Sequence, residues 1–172
     1  MSIPRIATDR LVLRGFEDDD FEPYAAMMAD PQVTRFLGDG RPLARTDAWR
    51  QLALILGHWS LRGFGLWAVE ERTSGALVGR VGCFEPEGWP GFEVGYVLAR
   101  PFWGRGYATE AGGAALRYAR EILGRDRIIS LIHPANDASI RVAERLGAVA
   151  DGMVDLSGHP TRVYAYPESE RR

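Results

Sequence analysis

Residues 101–110 read PFWGRGYATE and connect a short apolar strand, predicted at residues 92–98, to an alanine-rich helix. Gly104 and Gly106 allow backbone dihedrals with φ > 0 and a close approach to a ligand. The unpaired N–H groups and the dipole of a helix N-terminus favour an anion, and Arg105 adds a positive charge. The stretch therefore predicts either a diphosphate-binding turn or a tight turn with a purely structural role.

The spacing of the glycines separates this turn from two common phosphate-binding motifs. A P-loop requires GxxxxGK[ST], and the chain contains no lysine. A dinucleotide-binding fingerprint requires GxGxxG, and Thr109 occupies the position of its third glycine. Both motifs are excluded.

The composition is that of an ordinary globular protein, with 172 residues, 46% of them hydrophobic and 26% charged. This length predicts one domain over residues 1–172, with a polar tail at 167–172 that frays. The formal net charge of −2 gives no electrostatic reason to expect a nucleic-acid or membrane partner.

The N-terminus lacks the pattern of a signal peptide, and no apolar run reaches the length of a membrane span, which predicts a cytoplasmic protein. The single cysteine, Cys83, fits a reducing compartment and is expected to be a small buried hydrophobe rather than a nucleophile. His58, His133 and His159 are widely separated, so no metal site is predicted.

Periodicity and turn residues predict seven strands and four helices in mixed order. The strands are expected at residues 11–13, 66–70, 76–84, 92–98, 127–132, 148–156 and 161–166. The second and third form an antiparallel hairpin, and the helix after Gly106 crosses between the fourth and fifth, which should be parallel. Residues 32–43 are predicted to be a mobile connection.

Apolar spacing assigns a buried face to two of the helices. A helix capped by Thr46 or Asp47 is expected to pack against the core. Its buried face is predicted to carry Trp49, Leu52, Leu56 and Trp59. The helix after the glycine turn is expected to lie close to a sheet and to bury Ala111, Ala115, Tyr118, Ala119 and Ile122.

Three segments carry a resemblance to a known family. Residues 8–14 read TDRLVLR, residues 92–111 contain the strand, the glycine turn and the start of the helix, and residues 136–147 read NDASIRVAERLG. They resemble the opening strand, the pyrophosphate loop and the helix closing the cofactor site of GNAT superfamily acyl-CoA N-acyltransferases. The similarity is to the RimJ/RimL-like branch, the ribosomal-protein-alanine N-acetyltransferases. In this branch the first position of the loop pattern, here Trp103, is usually tryptophan.

The resemblance implies an α+β (α/β) GNAT fold. In this fold a mixed, mostly antiparallel central sheet of about seven strands is flanked by helices, and a splayed parallel strand pair forms the acyl-CoA cleft. Gly95 is the candidate position for a bulge in the central strand.

The resemblance also implies acetyl-CoA as co-substrate, with no metal. By alignment, the backbone of Val97 and Leu98 would contact the pantetheine arm and the thioester. The diphosphate would be held by the turn residues Gly104, Arg105, Gly106, Tyr107, Ala108 and Thr109. Asn136 and Ser139 would flank the other side of the arm.

Two residues are candidates for catalysis. Glu93 begins the central strand, one pleat from the expected thioester, and is the candidate base; an exposed strand carboxylate is the alternative. Many superfamily members place a tyrosine where this chain has Ala143, so the resemblance implies Ser139 as hydrogen-bond donor to the thiolate, and Ser139 could also cap its helix. A backbone N–H near Leu98 would stabilise the oxyanion.

Several other residues are secondary candidates. His133 could relay protons, although a histidine before a proline is commonly structural. Arg141 could reach a cofactor phosphate or lie on a solvated helix face. The residues that could line an acceptor pocket or belong to the core are Trp67, Trp89 and Trp103. Tyr107 is expected to pack beneath the turn.

The leading hypothesis is an acetyl-CoA-dependent N-acetyltransferase that transfers acetyl directly to a primary amine through a tetrahedral intermediate. The acceptor would be a protein N-terminal α-amine or a small-molecule amine, and a homodimer is possible because dimers are common in this branch. One alternative is a non-catalytic acyl-CoA-binding sensory module, and another is a nucleotide-binding protein that uses the glycine turn.

Overall fold

The computed structural model describes residues 2–168, which form one mixed sheet flanked by helices. In this part of the chain the strands are β1 Ile6–Ala7, β2 Leu11–Arg14, β3 Leu66–Glu71, β4 Leu77–Phe84, β5 Glu93–Leu98, β6 Ile128–Ile132, β7 Val149–Leu156 and β8 His159–Tyr166. The α-helices are α1 Phe21–Ala29, α2 Pro31–Thr34, α3 Arg45–Arg62, α4 Tyr107–Glu121 and α5 Asp137–Arg145. Short 3₁₀ turns cover Asp18–Asp20 and Arg100–Phe102.

The sheet order is β1-β2-β3-β4-β5-β6-β8-β7, and β5 and β6 are its parallel pair. The mixed, mostly antiparallel sheet and the parallel crossover are therefore confirmed. The predicted strand count omitted β1, which has two residues and pairs Ile6 with Leu13. A segment this short contains no alternation that a sequence pattern can detect.

The parallel pair β5–β6 is in register only where Glu93 lies opposite Ile129. Beyond this point the strands diverge, and β5 continues to Leu98 paired with β4 alone. The expected bulge at Gly95 was wrong, because the β4–β5 register runs without a shift from Gly79 to Phe84. The gap is made by loss of pairing with β6 and not by an inserted residue.

Helix α4 covers one face of the sheet, where the thiol of Cys83 lies 4.0 Å from the carbonyl of Ala115. Cys83 is buried as expected, and burial raises the pKa of its thiol to about 12. Ala111, Ala115 and Ala119 are fully buried, because their small side chains let α4 approach the strands. The prediction was wrong for Ile122, which follows the end of α4 and is exposed.

Helices α1 and α3 pack on the opposite side of the core. The predicted face of α3 was partly wrong: Leu52 and Trp59 are buried, but Trp49 is 57% exposed and Leu56 is also exposed. The buried stripe of α3 consists of Ala48, Leu52, Ile55, His58 and Trp59. Since Ala48 and Ile55 replace Trp49 and Leu56, the stripe is rotated by one position.

The segment predicted as a mobile connection, residues 32–43, is partly helical. Asp30 caps α2 by accepting a hydrogen bond from the N–H of Gln32, and Val33 and Thr34 are buried. The amide of Leu43 donates to the carbonyl of Met28 and returns the segment to α1. Of the predicted frayed tail, residues 169–172 lie outside the described residues.

Within residues 2–168, no helix is both long and apolar enough to cross a membrane.

A nearly buried ion network joins β2 to β3 and to the start of α1. Arg14 donates two hydrogen bonds to Asp20, at 2.7 and 2.9 Å, and a third to Glu70 at 2.7 Å. The side chains of Arg14 and Asp20 are only 11% and 7% exposed. Both carboxylates keep the pKa of Arg14 above its ordinary value. The network holds β2 in place through charged groups that are largely shielded from water.

Arg14→Met is expected to lower the free energy of unfolding by about 3 kcal/mol, because it leaves two carboxylates without their counter-charge in a largely buried place. Arg45→Met is the matched control, since Arg45 pairs with Glu22 on the solvent-exposed surface and should change the stability far less. Urea unfolding of both variants measures the difference. Equal losses would contradict the importance of the Arg14 network.

Candidate active site

Two cavities meet where β5 diverges from β6. The turn cleft, of about 510 Å³, lies among the end of β5, the glycine turn, the start of α4 and helix α5. The Glu93 cavity, of about 430 Å³, lies among β4, β5, β6 and α3. The residues that line both are Phe36, Leu37, Tyr96, Val97, Asn136 and Ser139. A molecule in the turn cleft can therefore present one end to the Glu93 cavity through the gap between the strands.

The glycine turn has the geometry expected of an anion site. Gly104 and Gly106 have φ values of +74° and +78°, which only glycine adopts without strain. Gly106 is the N-cap of α4, and no side chain caps this helix. The N–H groups of its first turn are therefore available to a ligand at the positive end of the helix dipole.

Contacts with the N-terminal strands hold this turn in place. The Glu110 carboxylate accepts hydrogen bonds from the Thr8 hydroxyl at 2.6 Å and from the Arg10 amide at 2.8 Å. Arg10 also donates from its guanidinium to Glu110 and to the carbonyl of Arg105. Tyr107 packs beneath the turn as predicted, with its hydroxyl donating to Glu71 at 2.6 Å.

The structure places the Arg105 side chain away from the turn cleft. Its guanidinium lies 3.4 Å from Glu71 and stacks over the ring of Phe102. Arg35, Arg141 and Arg145 line the cleft instead. Arg141 is the residue predicted from the sequence as a secondary candidate for a cofactor phosphate. Its spacing of four residues from Arg145 on α5 could have indicated Arg145 as well, as part of a shared basic face. Arg35 follows α2 in the segment predicted as a connection, and no sequence pattern marks it.

Nine of the ten predicted cofactor-binding residues line the turn cleft. They are Val97, Leu98, Gly104, Gly106, Tyr107, Ala108, Thr109, Asn136 and Ser139. The helix cap considered for Ser139 is provided by Asn136, whose side chain accepts from the Ser139 amide at 3.2 Å. The Ser139 carbonyl accepts from the Tyr96 hydroxyl. The backbone groups of Ser139 therefore have partners, whereas its hydroxyl makes no hydrogen bond to residues 2–168.

Glu93 is buried at the position of β5 that pairs with β6, so the alternative of an exposed strand carboxylate was wrong. Its carboxyl accepts from the Trp89 indole N–H at 2.8 Å and from the Leu131 amide at 3.4 Å. Burial raises the pKa of Glu93 to about 7, against the hydrogen bonds and the charge of Arg80. At neutral pH this carboxyl can therefore both accept and release a proton.

A second side chain bridges the gap between the diverging strands. The Ser130 hydroxyl, on β6, donates to the carbonyl of Val94 on β5 at 2.5 Å. It also shares a hydrogen bond of 2.8 Å with the hydroxyl of Tyr166. Ser130 and Glu93 therefore satisfy backbone groups that a continuous parallel ladder would otherwise pair.

The secondary candidates are divided among three places. His133 lines the Glu93 cavity, where its Nδ1 accepts from the Ala135 amide and its ring lies 5.0 Å from that of Phe36. Trp89 lines the same cavity, and Trp103 lines the turn cleft and donates to the Leu98 carbonyl. Trp67 is fully buried in the core, so it does not line a pocket.

Comparisons with known proteins agree on one family. The family model described as an acetyltransferase (GNAT) domain matches residues 10–149. The protein YkkB of Bacillus subtilis (strain 168) is 32% identical over 93% of this chain and 94% of its own length. The crystal structure of an acetyltransferase from Agrobacterium tumefaciens str. C58 superposes with a TM-score of 0.87 at 32% identity, covering 98% of this chain and 96% of that one.

A more distant structure is RimL, a ribosomal L7/L12 α-N-protein acetyltransferase in complex with coenzyme A. It has a TM-score of 0.77 at 18% identity and covers 96% of this chain and 98% of its own. At this identity the likeness shows the fold alone.

Trp89→Phe is expected to raise the pKa of Glu93 further above its ordinary value, by about one pH unit, because the charged form loses the indole hydrogen bond. The titration of glutamate carboxyl carbons by ¹³C NMR measures this, with the Glu93 signal assigned by its absence in Glu93→Gln. Trp49→Phe, at an exposed position of α3, should leave the titration unchanged. An unchanged or lower pKa of Glu93 in Trp89→Phe would contradict the view that the indole hydrogen bond stabilises the charged form of this carboxyl.

Proposed function

Because the chain belongs to the GNAT acetyltransferase family, whose members depend on acetyl-CoA, we propose that it acetylates a primary amine on a small molecule or a protein N-terminus. The observation that carries the proposal is the junction of the turn cleft and the Glu93 cavity. A thioester in the first could meet an amine in the second at the point where β5 loses its parallel partner. The buried carboxyl of Glu93 lies at that point.

The turn cleft fits the CoA portion of the co-substrate. The uncapped N-terminus of α4 would hold the diphosphate, and Arg35, Arg141 and Arg145 would supply positive charge around it. The edge of β5 at Val97 and Leu98 has no partner strand among residues 2–168 and would hydrogen-bond the pantetheine arm as a neighbouring strand does, with the Leu98 carbonyl also accepting from the Trp103 indole N–H. RimL, which has the same fold, was solved in complex with coenzyme A.

Transfer of the acetyl group needs a neutral amine, because a protonated nitrogen has no free electron pair. An alkyl amine has a pKa of about 10 and a peptide α-amine one of about 8, so both are largely protonated at neutral pH. The Glu93 carboxylate would take the proton, directly or through one water, and its pKa of about 7 suits this role.

The remaining steps use the backbone and Ser139. The amine nitrogen would form a bond to the thioester carbon, and the oxyanion of the tetrahedral intermediate would accept a hydrogen bond from a backbone N–H near Leu98. The C–S bond would then break, the sulfur would leave as a thiolate, and the positively charged nitrogen would lose a proton to give the neutral amide, while the thiolate takes up one proton in exchange. The free Ser139 hydroxyl, which lines both cavities, would donate to the thiolate before it takes up that proton.

Glu93→Gln is expected to reduce kcat by about 10²- to 10⁴-fold at saturating acetyl-CoA, because glutamine cannot accept the proton. In the native protein the rate should rise with pH through about 7 as Glu93 loses its proton, and this ascending limb should vanish in the variant. Release of free thiol from acetyl-CoA, followed across a panel of amines and over neutral pH, measures both effects.

Glu87→Gln is the control, since the Glu87 side chain is fully exposed and outside both cavities. Native turnover in Glu93→Gln with the ascending limb intact would remove Glu93 from the mechanism. Tight CoA binding without thiol release for any amine would favour a sensory module over an enzyme.

Arg141→Ala is expected to weaken CoA binding by about tenfold, because its guanidinium lines the turn cleft beside the proposed diphosphate. Arg105→Ala is expected to have a smaller effect, because its side chain is held by Glu71 and Phe102. Calorimetric titration of both variants with CoA, and of the native protein with ATP and NAD, measures this. A larger loss in Arg105→Ala, or native binding of ATP as tight as CoA, would contradict the assignment.

A further inference from the structure

Arg80 lines the Glu93 cavity from the middle of β4 and has no carboxylate partner. Within residues 2–168, Arg80 has no carboxylate oxygen within 4.0 Å of its guanidinium nitrogens and so forms no ion pair. Its Nε–H is buried without a hydrogen-bond partner. Arg120 has a similar buried Nε–H, but its guanidinium donates to the carbonyl of Pro167 and lines neither cavity.

The strand register directs Arg80 and Glu93 to the same face of the sheet. Arg80 pairs with Val97 and Phe84 pairs with Glu93, and side chains two or four residues apart on a strand share a face. Cys83 contacts α4, so this face is the one opposite α4. Arg80 therefore enters the cavity beside Val97, next to the proposed thioester, with Glu93 further along the same face.

The neighbours of Arg80 do not neutralise its charge. Tyr24 interacts with Arg80 through the charge of the guanidinium and a side-chain hydrogen bond, and both oppose the rise that burial causes in the pKa of the phenol. The phenol is neutral and its hydroxyl donates to Gln51 at 2.6 Å, so it supplies no counter-charge. Glu93 is more than 4.0 Å away and holds its proton part of the time near pH 7. A half-buried guanidinium without a counter-charge is costly unless a ligand supplies one.

The other charged and titratable groups of the cavity do not supply an anion at Arg80. Asp39 and His159 pair with each other at 3.2 Å on the exposed rim. His133 accepts from the backbone of Ala135, and the hydroxyl of Tyr96 donates to the carbonyl of Ser139. Among residues 2–168, Arg80 is therefore the arginine that lines this cavity.

We propose that Arg80 binds a carboxylate of the acceptor, and that the acceptor is a small amine that also carries a carboxylate, the chemistry of a free amino acid. This inference rests on the proposed function and narrows its acceptor. A guanidinium beside Val97 and a carboxyl at Glu93 provide one group for the acceptor's acid and one for its amine. A cavity of about 430 Å³ is of the size that holds a small molecule.

The test compares matched acceptors in the thiol-release assay: free amino acids, the same amino acids as α-amides, the corresponding decarboxylated amines, and a short peptide with an amidated C-terminus. The native protein should have a kcat/KM about 10- to 100-fold higher for each acid than for its amide, the range expected for a hydrogen-bonded charge pair. Arg80→Met should remove this selectivity by lowering kcat/KM for the acids alone. Arg80→Lys should restore part of it, since it keeps the charge.

Arg127→Met is the matched control, because Arg127 forms an exposed pair with Asp151 away from both cavities. Thermal unfolding shows whether each variant is folded. If Arg80→Met does not fold, the comparison of acids with amides in the native protein still tests the proposal. Equal turnover of acids and amides by the native protein, preference for the peptide, or equal losses for both classes in Arg80→Met would overturn the proposal. Absence of thiol release with every acceptor would instead overturn the proposed acetyl transfer to amines.

Discussion

The site depends on the point at which two parallel strands stop pairing. One register pair, Glu93 opposite Ile129, connects β5 to β6, and beyond it the backbone edge of β5 is open. Buried backbone groups must find partners, so an opening inside a sheet is stable only if side chains or a ligand replace the missing ladder. Glu93 accepts from Leu131 and Ser130 donates to Val94, and these bonds hold the gap at its narrow end.

Glu93 consequently combines a structural role with the proposed chemical one at a single position. Its carboxyl receives hydrogen bonds from Trp89 and Leu131 and also faces the cavity proposed for the amine. The hydrogen bonds favour the charged form, whereas burial favours the neutral form, and burial has the larger effect on the pKa. Burial at the contact between the two halves of the sheet therefore also brings the pKa of this carboxyl close to neutral pH, which suits the proposed proton acceptor.

The sequence predicted those parts of the fold that are encoded locally. The glycine turn, the alanine-rich face of α4 and the parallel crossover follow from spacing and composition within short segments. The direction of the Arg105 side chain and the free charge of Arg80 could not be predicted, because they depend on Glu71 and on the absence of a partner across the sheet. The observed buried stripe of α3 is rotated by one position from the predicted one, because the presence of large apolar side chains on a helix does not determine which of its sides faces the core.

The salt bridge and hydrogen bonds at Glu110 tie the glycine turn to residues that are one hundred positions earlier in the chain. Thr8 and Arg10 leave the ribosome long before Glu110 is made, so they have no Glu110 carboxylate to bind during most of the synthesis of the chain. Contacts of such long sequence separation form late, because closing a large loop lowers the chain entropy before the new hydrogen bonds can offset that cost. The rigidity of the glycine turn is thus among the last properties that the nascent chain acquires.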